Sequence, residues 1–188
     1  MAPKLHIIIG STRPGRVGPS VARWFAQYAK EHGKFEPVLV DLAEFKLPVY
    51  DEPKHPIMRQ YEHEHTKRWS KSVEAADAYV FVTPEYNYNS SPALMNALNY
   101  VFSEWNYKAA GIVSYGGVSG GLRAAQSLKL LLTTLKIVPL TEGVAIPSVA
   151  QSVDAGVYKP NDLVNASAKT MLDELVRWTG ALKTLRTA

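Results

Sequence analysis

The chain has no cysteine, and that absence removes disulfides, thiolate metal sites, iron–sulfur clusters and cysteine nucleophiles together. Long apolar runs are missing as well. No stretch reaches the roughly 18 to 20 apolar residues of a membrane span, and the opening MAPKLHIIIGSTR is too short in its apolar part for a signal peptide. A soluble, cytoplasmic protein with no membrane partner is expected. There is no dense basic block either. The net charge is +4 and the pI is near 9.2, but Lys and Arg are scattered, so no nucleic-acid partner is expected and the charge suits a mild attraction for anionic small molecules. No repeat, low-complexity tract or linker interrupts the chain. Its 188 residues, 46% of them hydrophobic, fit one α/β domain over 1–188 with a substantial core.

What is present is an alternation of strands and helices. The apolar run 5–9 predicts a buried strand. Gly10 ends it, and Pro19, followed by Val21, Phe25 and Tyr28, predicts a helix with Gly18 as its cap, running to about Gly33. Residues 35–42 predict a second strand, a proline-rich loop passes Pro48, Pro53 and Pro56, and 57–76 read as a polar helix. The run 78–83 is apolar throughout, as a strand covered on both faces should be. Ser91 and Pro92 open a helix expected to reach about Glu104. A fourth strand is expected over 109–115, a helix apolar nearly all round over 122–135, a fifth strand over 137–146, and a last helix from about Asp162 to Leu185 with Val164, Ala168, Met171, Leu175 and Leu182 at helical spacing. This alternation predicts a five-stranded parallel sheet with helices on both faces; if its order is the flavodoxin-like 2-1-3-4-5 of a three-layer sandwich, strands one, three and four are neighbours.

In such sheets ligands bind at the carboxyl ends of the strands. Three unusual loops leave those ends: GSTRPGRVGPS, PEYNYNSS and YGGVSGG. The first combines the hydroxyls of Ser11, Thr12 and Ser20 with the guanidinium forks of Arg13 and Arg16, and it opens onto a helix N-terminus through Val17, Gly18 and Pro19. Those features suit a phosphate. The spacing of Gly10, Gly15 and Gly18 does not fit the dinucleotide fingerprint, and Arg16 and Val17 stand where a P-loop needs Lys and Ser/Thr, so nucleotide hydrolysis is not expected. The second loop offers Tyr86 and Tyr88 rings beside Asn87, Asn89 and Glu85, with Pro84 restraining the backbone, a composition suited to a planar heterocycle.

Two other motifs are weaker. Gly117-Val118-Ser119-Gly120-Gly121 is formally G-x-S-x-G, but a hydrolase of that type needs its histidine after the serine and all five histidines precede it. Ser119 is expected to cap a helix. His63-Glu64-His65 suggests a metal, yet on a helix residues two apart diverge, so these are expected to be solvated surface residues.

The segments GSTRPGRVGPSVA, TPEYNYNSSPALMNALNY and SYGGVSGGLRAAQSLKLLL together resemble the NAD(P)H-dependent FMN reductases of flavodoxin-like fold, which include quinone, azo-dye and chromate reductases. The likeness spans about residues 4–145. It implies that Ser11, Arg13, Arg16 and the N–H groups through Ser20 hold the FMN phosphate. It also implies that Pro84, Glu85, Tyr86, Asn87 and Tyr88 line the isoalloxazine ring and its pyrimidine edge, and that Ser114, Tyr115, Gly116 and Gly117 line its other side. Glycine N–H groups would stabilise charge developing on the reduced ring, so no side-chain acid or base is required and no metal is implied. NADPH or NADH would be the donor, a flavin, quinone or similar small molecule the acceptor, and the two would use one flavin face in turn, giving ping-pong kinetics. Arg13, Arg16 and the basic balance lean toward NADPH.

The family is usually dimeric or tetrameric, and Leu94, Met95, Leu98, Phe102 and Trp105 offer more apolar surface than one sheet face needs, so a homodimer or homotetramer is expected. Tyr50 and Trp105 are candidate acceptor-site aromatics. The competing reading is a flavodoxin-type electron carrier without nicotinamide turnover, against which the basic charge argues. A flavin-free binding module of the same fold is a third.

Overall fold

Period-two alternation in the first strand decides the layering. In β1 (Lys4–Ile9), Ile7 and Ile9 join one apolar cluster and Ile8 joins another, because successive side chains of a strand point to opposite faces. Each cluster is one face of the sheet. The computed structural model describes residues 2–186. Met1, Thr187 and Ala188 of the domain expected over 1–188 lie outside the described residues.

The remaining elements are α1 (Gly18–His32), β2 (Glu36–Asp41), α2 (Leu42–Phe45), α3 (Glu64–Glu74), β3 (Ala78–Pro84), α4 (Pro92–Asn99), β4 (Ala109–Tyr115), α5 (Leu122–Thr134), β5 (Val138–Pro139), β6 (Val144–Ile146), a hairpin of β7 (Val153–Asp154) and β8 (Val157–Tyr158), and α6 (Asp162–Arg186). The main sheet runs β2-β1-β3-β4-β5 with β6 also on β4, and its pairings are parallel. Every residue of β3 and β4 is buried. Val21 and Phe25 of α1 and Val164 and Met171 of α6 cover one face. Trp69 of α3, Leu94 of α4 and Leu128 of α5 cover the other. Gly111 permits the approach of α6, since a Cβ there would lie 2.6 Å from Met171 Sδ.

Several boundaries differ from the sequence-based expectation. Helix α1 begins at Gly18 with Val17 as its N-cap. The helix expected over 57–76 starts only at Glu64. Before it, Pro56–Met58 makes one 3₁₀ turn, Arg59 takes a left-handed φ of 52°, and the buried Glu52 carboxylate accepts from the N–H groups of Glu62 and His63. Helix α4 stops at Asn99 rather than near 104. The chain then turns to place Glu104 against the hydroxyls of Tyr61 and Ser70 and Trp105 against Trp69 and Tyr79.

The expected fifth strand is split in two around residues 140–143; Val138 and Leu140 donate their N–H groups to β4, so Pro139 between them turns its ring nitrogen to the open edge, where a proline costs no ladder bond. Helix α5 is not apolar-faced all round in its surroundings: Ala124, Ala125, Leu128 and Leu132 are buried, whereas Leu130 is 75% exposed. Leu94, Leu98 and Trp105 are fully buried, so the apolar surplus read from the 94–105 segment largely belongs to the protein's own core.

Candidate functional site

The carboxyl ends of β1, β3, β4 and β6 open into a cleft of about 490 Å³. Ser11, Arg13, Arg16 and Val17 come from the loop after β1, Pro84, Glu85 and Tyr86 from the end of β3 and its loop, Tyr115, Gly116 and Gly117 from β4, and Ser148, Val149, Ala150 and Gln151 from the segment after β6. The last four were not anticipated from the sequence. The carboxyl-end rule, applied to the fifth strand as to the others, points to them.

Six expected residues do not line this cleft. Gly18 and Ser20 are buried behind it. A Cβ on Gly18 would sit 2.8 Å from the Tyr115 hydroxyl, and the Ser20 hydroxyl accepts from Tyr158 N–H at 2.7 Å, tying the β7–β8 hairpin to the start of α1. Pro19 shapes the helix start. Ser114 turns its hydroxyl to Gly120 O at 2.9 Å. Asn87 and Tyr88 form the outer corner of a two-residue turn, with φ of 50° and 69°, closed by reciprocal Tyr86–Asn89 backbone hydrogen bonds of 2.8 and 3.0 Å. Two successive positive φ values are unfavourable for non-glycine residues, less for Asn87 than for the bulky Tyr88, and that strain is met by external ties. The Arg123 guanidinium stacks 4.2 Å from the Tyr88 ring centroid, and Ser127 hydrogen-bonds Asn89 Oδ1.

Glu85 anchors the same loop. Its carboxylate accepts from the N–H groups of Arg123 and Ala124 and from Arg123 Nη1 at 3.0 Å, so it caps α5 from a different loop, where a helix N-terminus favours an anion. Ser119 donates to Glu85 at 3.2 Å and does not cap the helix, whose N-cap, Gly121, has no side-chain partner. Burial pulls the Glu85 carboxyl up, but the hydrogen bonds from Ala124, Arg123 and Ser119 outweigh it and hold the group below the usual carboxylate range.

The two arginines of the first loop differ. Arg16 is engaged by Asp41 with both Nη atoms, at 2.7 and 2.6 Å, and also donates to Ser11 O. Arg13 is exposed and has no hydrogen-bond or ion-pair partner among the described residues. Helix α1 starts without a side-chain cap, but Pro19 has no N–H and the Ser20 N–H donates to Val17 O at 2.9 Å, so contrary to expectation the donor row does not reach Ser20, and the N–H groups left at this start among the described residues are those of Val17 and Gly18. The floor of the cleft carries hydroxyls: Ser11 Oγ lies 3.3 Å from the Tyr86 hydroxyl, and burial, then the neighbouring Tyr86, pushes Tyr115 well up, keeping it a neutral hydrogen-bonding group. Backbone donors are partly committed. Glu85 N–H binds Tyr115 O and Gly116 N–H binds Ile146 O, whereas the Gly117 N–H makes no bond to another backbone group among the described residues.

An uncapped helix start, an unpaired guanidinium and a hydroxyl form a donor set that fits a phosphate. A Cβ at Gly117 would meet nothing within 4 Å, so the glycine floor has room for a flat ring beside Pro84 and Tyr86. The residues present therefore fit a phosphorylated flavin.

The other candidates are placed elsewhere. Trp105 is fully buried and is not an acceptor-site aromatic. Tyr50 packs edge-on against Tyr100 at 5.2 Å, outside the cleft. His63 precedes α3 instead of lying on it, so its ring stacks on His65 at 5.2 Å and 14°, and His65 Nε2 reaches Asp51 at 3.1 Å. These two are thus partnered, not freely solvated. Among the described residues no group of three or more His, Cys, Asp or Glu could hold a metal ion, and no helix is long and apolar enough to cross a membrane.

Comparison with known proteins gives the family. The family model described as NADPH-dependent FMN reductase matches residues 3–151, a span that ends on the last cleft residue. An NAD(P)H-dependent FMN reductase of Schizosaccharomyces pombe is 40% identical over 164 residues, covering 85% of this chain and 80% of the relative. An NADPH azoreductase of a Bacillus species is 31% identical over 176 residues, 93% of this chain and 89% of the relative. Among solved structures, the flavoenzyme NAD(P)H:(acceptor) oxidoreductase FerB of Paracoccus denitrificans superposes with a TM-score of 0.75 at 22% identity, covering 96% of this chain and 98% of that one.

Proposed function

The chain belongs to the family of NADPH-dependent FMN reductases, and from that premise we propose that it passes electrons from NAD(P)H, through FMN held in the cleft, to a flavin, quinone or similar small-molecule acceptor by a ping-pong mechanism. The observation that carries this reading is the meeting of an unpaired Arg13, an uncapped helix start and the open Gly117 backbone in one cleft built by loops far apart in sequence.

Arg13, with the Ser11 hydroxyl and the α1 start, holds the phosphate and offsets its charge. Arg16, its charge offset by Asp41, shapes the loop that presents these groups. Pro84 to Tyr86 form one wall and Tyr115 to Gly117 the other. Bound FMN supplies the hydride and electron chemistry. The Gly117 N–H would supply a donor for negative charge that develops on bound FMN. No side chain of the cleft acts as general acid or base: Glu85 is the cleft's carboxylate, and its oxygens are engaged by α5. With one cleft for both substrates, nicotinamide and acceptor bind in turn.

The whole chain acts as a single flavodoxin-like unit in the cytoplasm, where NAD(P)H is supplied, and pairs as a homodimer or homotetramer. The exposed Tyr88 and Leu122 beside the cleft, 64% and 51% accessible, favour the pairing.

The test is direct. The purified protein should be yellow with FMN and should oxidise NADPH with FMN, a quinone and ferricyanide as acceptors, giving parallel double-reciprocal lines. Colour without turnover identifies an electron carrier, and intersecting lines overturn the ping-pong mechanism. A monomeric mass by light scattering at micromolar concentration overturns the oligomer.

A further inference from the structure

Gly116 and Gly117, on the floor of the cleft, are gripped from one side. Strand β4 has β3 as one neighbour and β6 as the other. Where β4 ends, Tyr115 O accepts from Glu85 N–H on the β3 side at 3.2 Å, and Gly116 N–H donates to Ile146 O on the β6 side, also at 3.2 Å. Gly116 O turns to that second side as well, accepting from Val149 N–H at 3.1 Å. Gly117 O accepts twice, from Ser148 N–H at 2.8 Å and from Gly120 N–H at 3.1 Å.

One peptide plane carries the consequence. The described peptide bonds are trans, and in a trans peptide the C=O of one residue and the N–H of the next point in opposite directions. Holding Gly116 O toward Val149 therefore turns Gly117 N–H the other way, toward the β3 side, where Pro84, Glu85 and Tyr86 form the facing wall of the cleft. That N–H has no backbone partner among the described residues.

The grip needs a rare backbone. Ser148 has φ 47° and ψ 43°, a left-handed conformation that residues with a Cβ seldom adopt. Followed by the 3₁₀ turn Val149–Ser152, it aims two successive N–H groups at one target, which an extended strand would point to alternate sides. The two chains also meet closely: a Cβ on Gly120 would lie 3.1 Å from Pro147 N and 3.3 Å from the Ile146 backbone.

We propose that Ser148 and Val149 are positioning residues for the flavin: their N–H groups lock the 116–117 peptide so that Gly117 N–H stays pointed into the cleft and favours the reduced, negatively charged ring over the oxidised one. The proposal rests on the reading of the cleft as the flavin site. A donor already aimed needs no reorganisation as charge develops, and a hydrogen bond to a charged acceptor is stronger than one to a neutral acceptor. The lock thus sets the reduction potential more than the affinity for oxidised flavin.

Val149 is the first residue of its turn, where a proline fits and removes the N–H. A proline restricts the residue before it, so it is introduced with Ser148→Gly, and Ser148→Gly/Val149→Ala is the control that keeps the N–H. Against that control, Ser148→Gly/Val149→Pro should bind reduced FMN about tenfold more weakly relative to oxidised FMN, the difference between a charged and a neutral acceptor. For a two-electron couple that is a fall of about 30 mV in midpoint potential. Gly117→Pro, which removes the donor itself, should fall as far against Gly117→Ala, whose methyl meets nothing within 4 Å. Combining the Gly117→Pro change with Ser148→Gly/Val149→Pro should lower the potential no further, because the lock acts through that one N–H. Additive falls, or a potential unmoved in Ser148→Gly/Val149→Pro, overturn the proposal.

Amide hydrogen exchange on flavin-free wild type requires no variant to fold. The Ser148 and Val149 amides should be protected and the Gly117 amide should exchange fast. A Gly117 amide protected as strongly as that of Val149 also overturns the proposal. The expected exchange pattern in a protein that binds no FMN leaves the lock standing and sinks the flavin reading instead.

Discussion

Arg16 and Asp41 meet as a two-pronged pair, Nη1 to Oδ1 at 2.7 Å and Nη2 to Oδ2 at 2.6 Å, with both side chains under one-fifth exposed. Asp41 also accepts from Ala43 N–H at 3.0 Å, capping the short helix α2. Two arginines three residues apart thus have different tasks, one fastening the loop to the end of β2 and the other left for a ligand.

Arg13→Ala should therefore lower FMN affinity while leaving the thermal midpoint within about 1 °C of wild type, because an exposed residue without partners contributes little to stability. Arg16→Ala and Asp41→Ala should lower both, at a stability cost of roughly 1–3 kcal/mol from the broken pair and, for Asp41, the lost cap. Flavin fluorescence titration alongside calorimetry separates the two effects. Equal loss of stability in Arg13→Ala contradicts the division.

Gly121 is held by two constraints at once. Its φ is +79°, and a Cβ would lie 2.9 Å from Ser114 Cβ and Tyr115 N. Gly121→Ala should cost roughly 2–4 kcal/mol, since both backbone strain and core contact oppose it. At Gly156, with a φ of +78° and nothing within 4 Å, only the strain remains, and Gly156→Ala should cost about 1 kcal/mol. Urea midpoints of the two variants test the ordering.

Glu85 joins the tyrosine-bearing loop to α5, so Glu85→Gln should loosen both. The expected result is a fall in melting temperature of about 3–6 °C, corresponding to roughly 1–2 kcal/mol, together with faster exchange of the Arg123 and Ala124 amides. Unaltered protection at those two amides would argue against the cap.

His6 is buried in β1, and burial first, then the charges of Lys108 and Lys4, lowers its pKa to about 4. The unfolded chain binds this proton near pH 6.5 and the folded one only near 4, so stability should fall as pH drops between those values, by roughly 3 kcal/mol in total. Replacing His6 by Phe, which does not titrate, should flatten this part of the stability curve. A wild-type curve already flat from pH 6.5 to 4 refutes it.

The parallel sheet covered on both faces was legible from residues alone, because β3 and β4 are uninterrupted apolar runs and the helices repeat at clear spacing, whereas the strand order followed from the family resemblance. Strand β4 agrees with its expected limits of 109–115. What escaped were features decided by long-range polar contacts. The late start of α3 follows from Glu52 accepting two N–H groups from ten and eleven residues away, and the early stop of α4 follows from buried Glu104 meeting Tyr61 and Ser70, 43 and 34 positions back. No local pattern announces such bonds. The pairing of Arg16 with Asp41 was likewise hidden, since the loop's composition marks both arginines as phosphate ligands and says nothing of a carboxylate 25 residues on. Residues 148–151 carry no motif of their own, and only the position of their strand in the sheet brings them to the cleft.

The split of the last strand into β5 and β6 has a further consequence. A continuous border would present a row of unmet donors and acceptors onto which a misfolding neighbour could zip. Here that border is broken by Pro139 and the four residues before β6, and the opposite border, β2, carries Pro37 with Glu36 and Asp41 at its tips. Both flanks are thus poor templates for fibril growth, which should let this protein be held at high concentration without its sheets joining end to end.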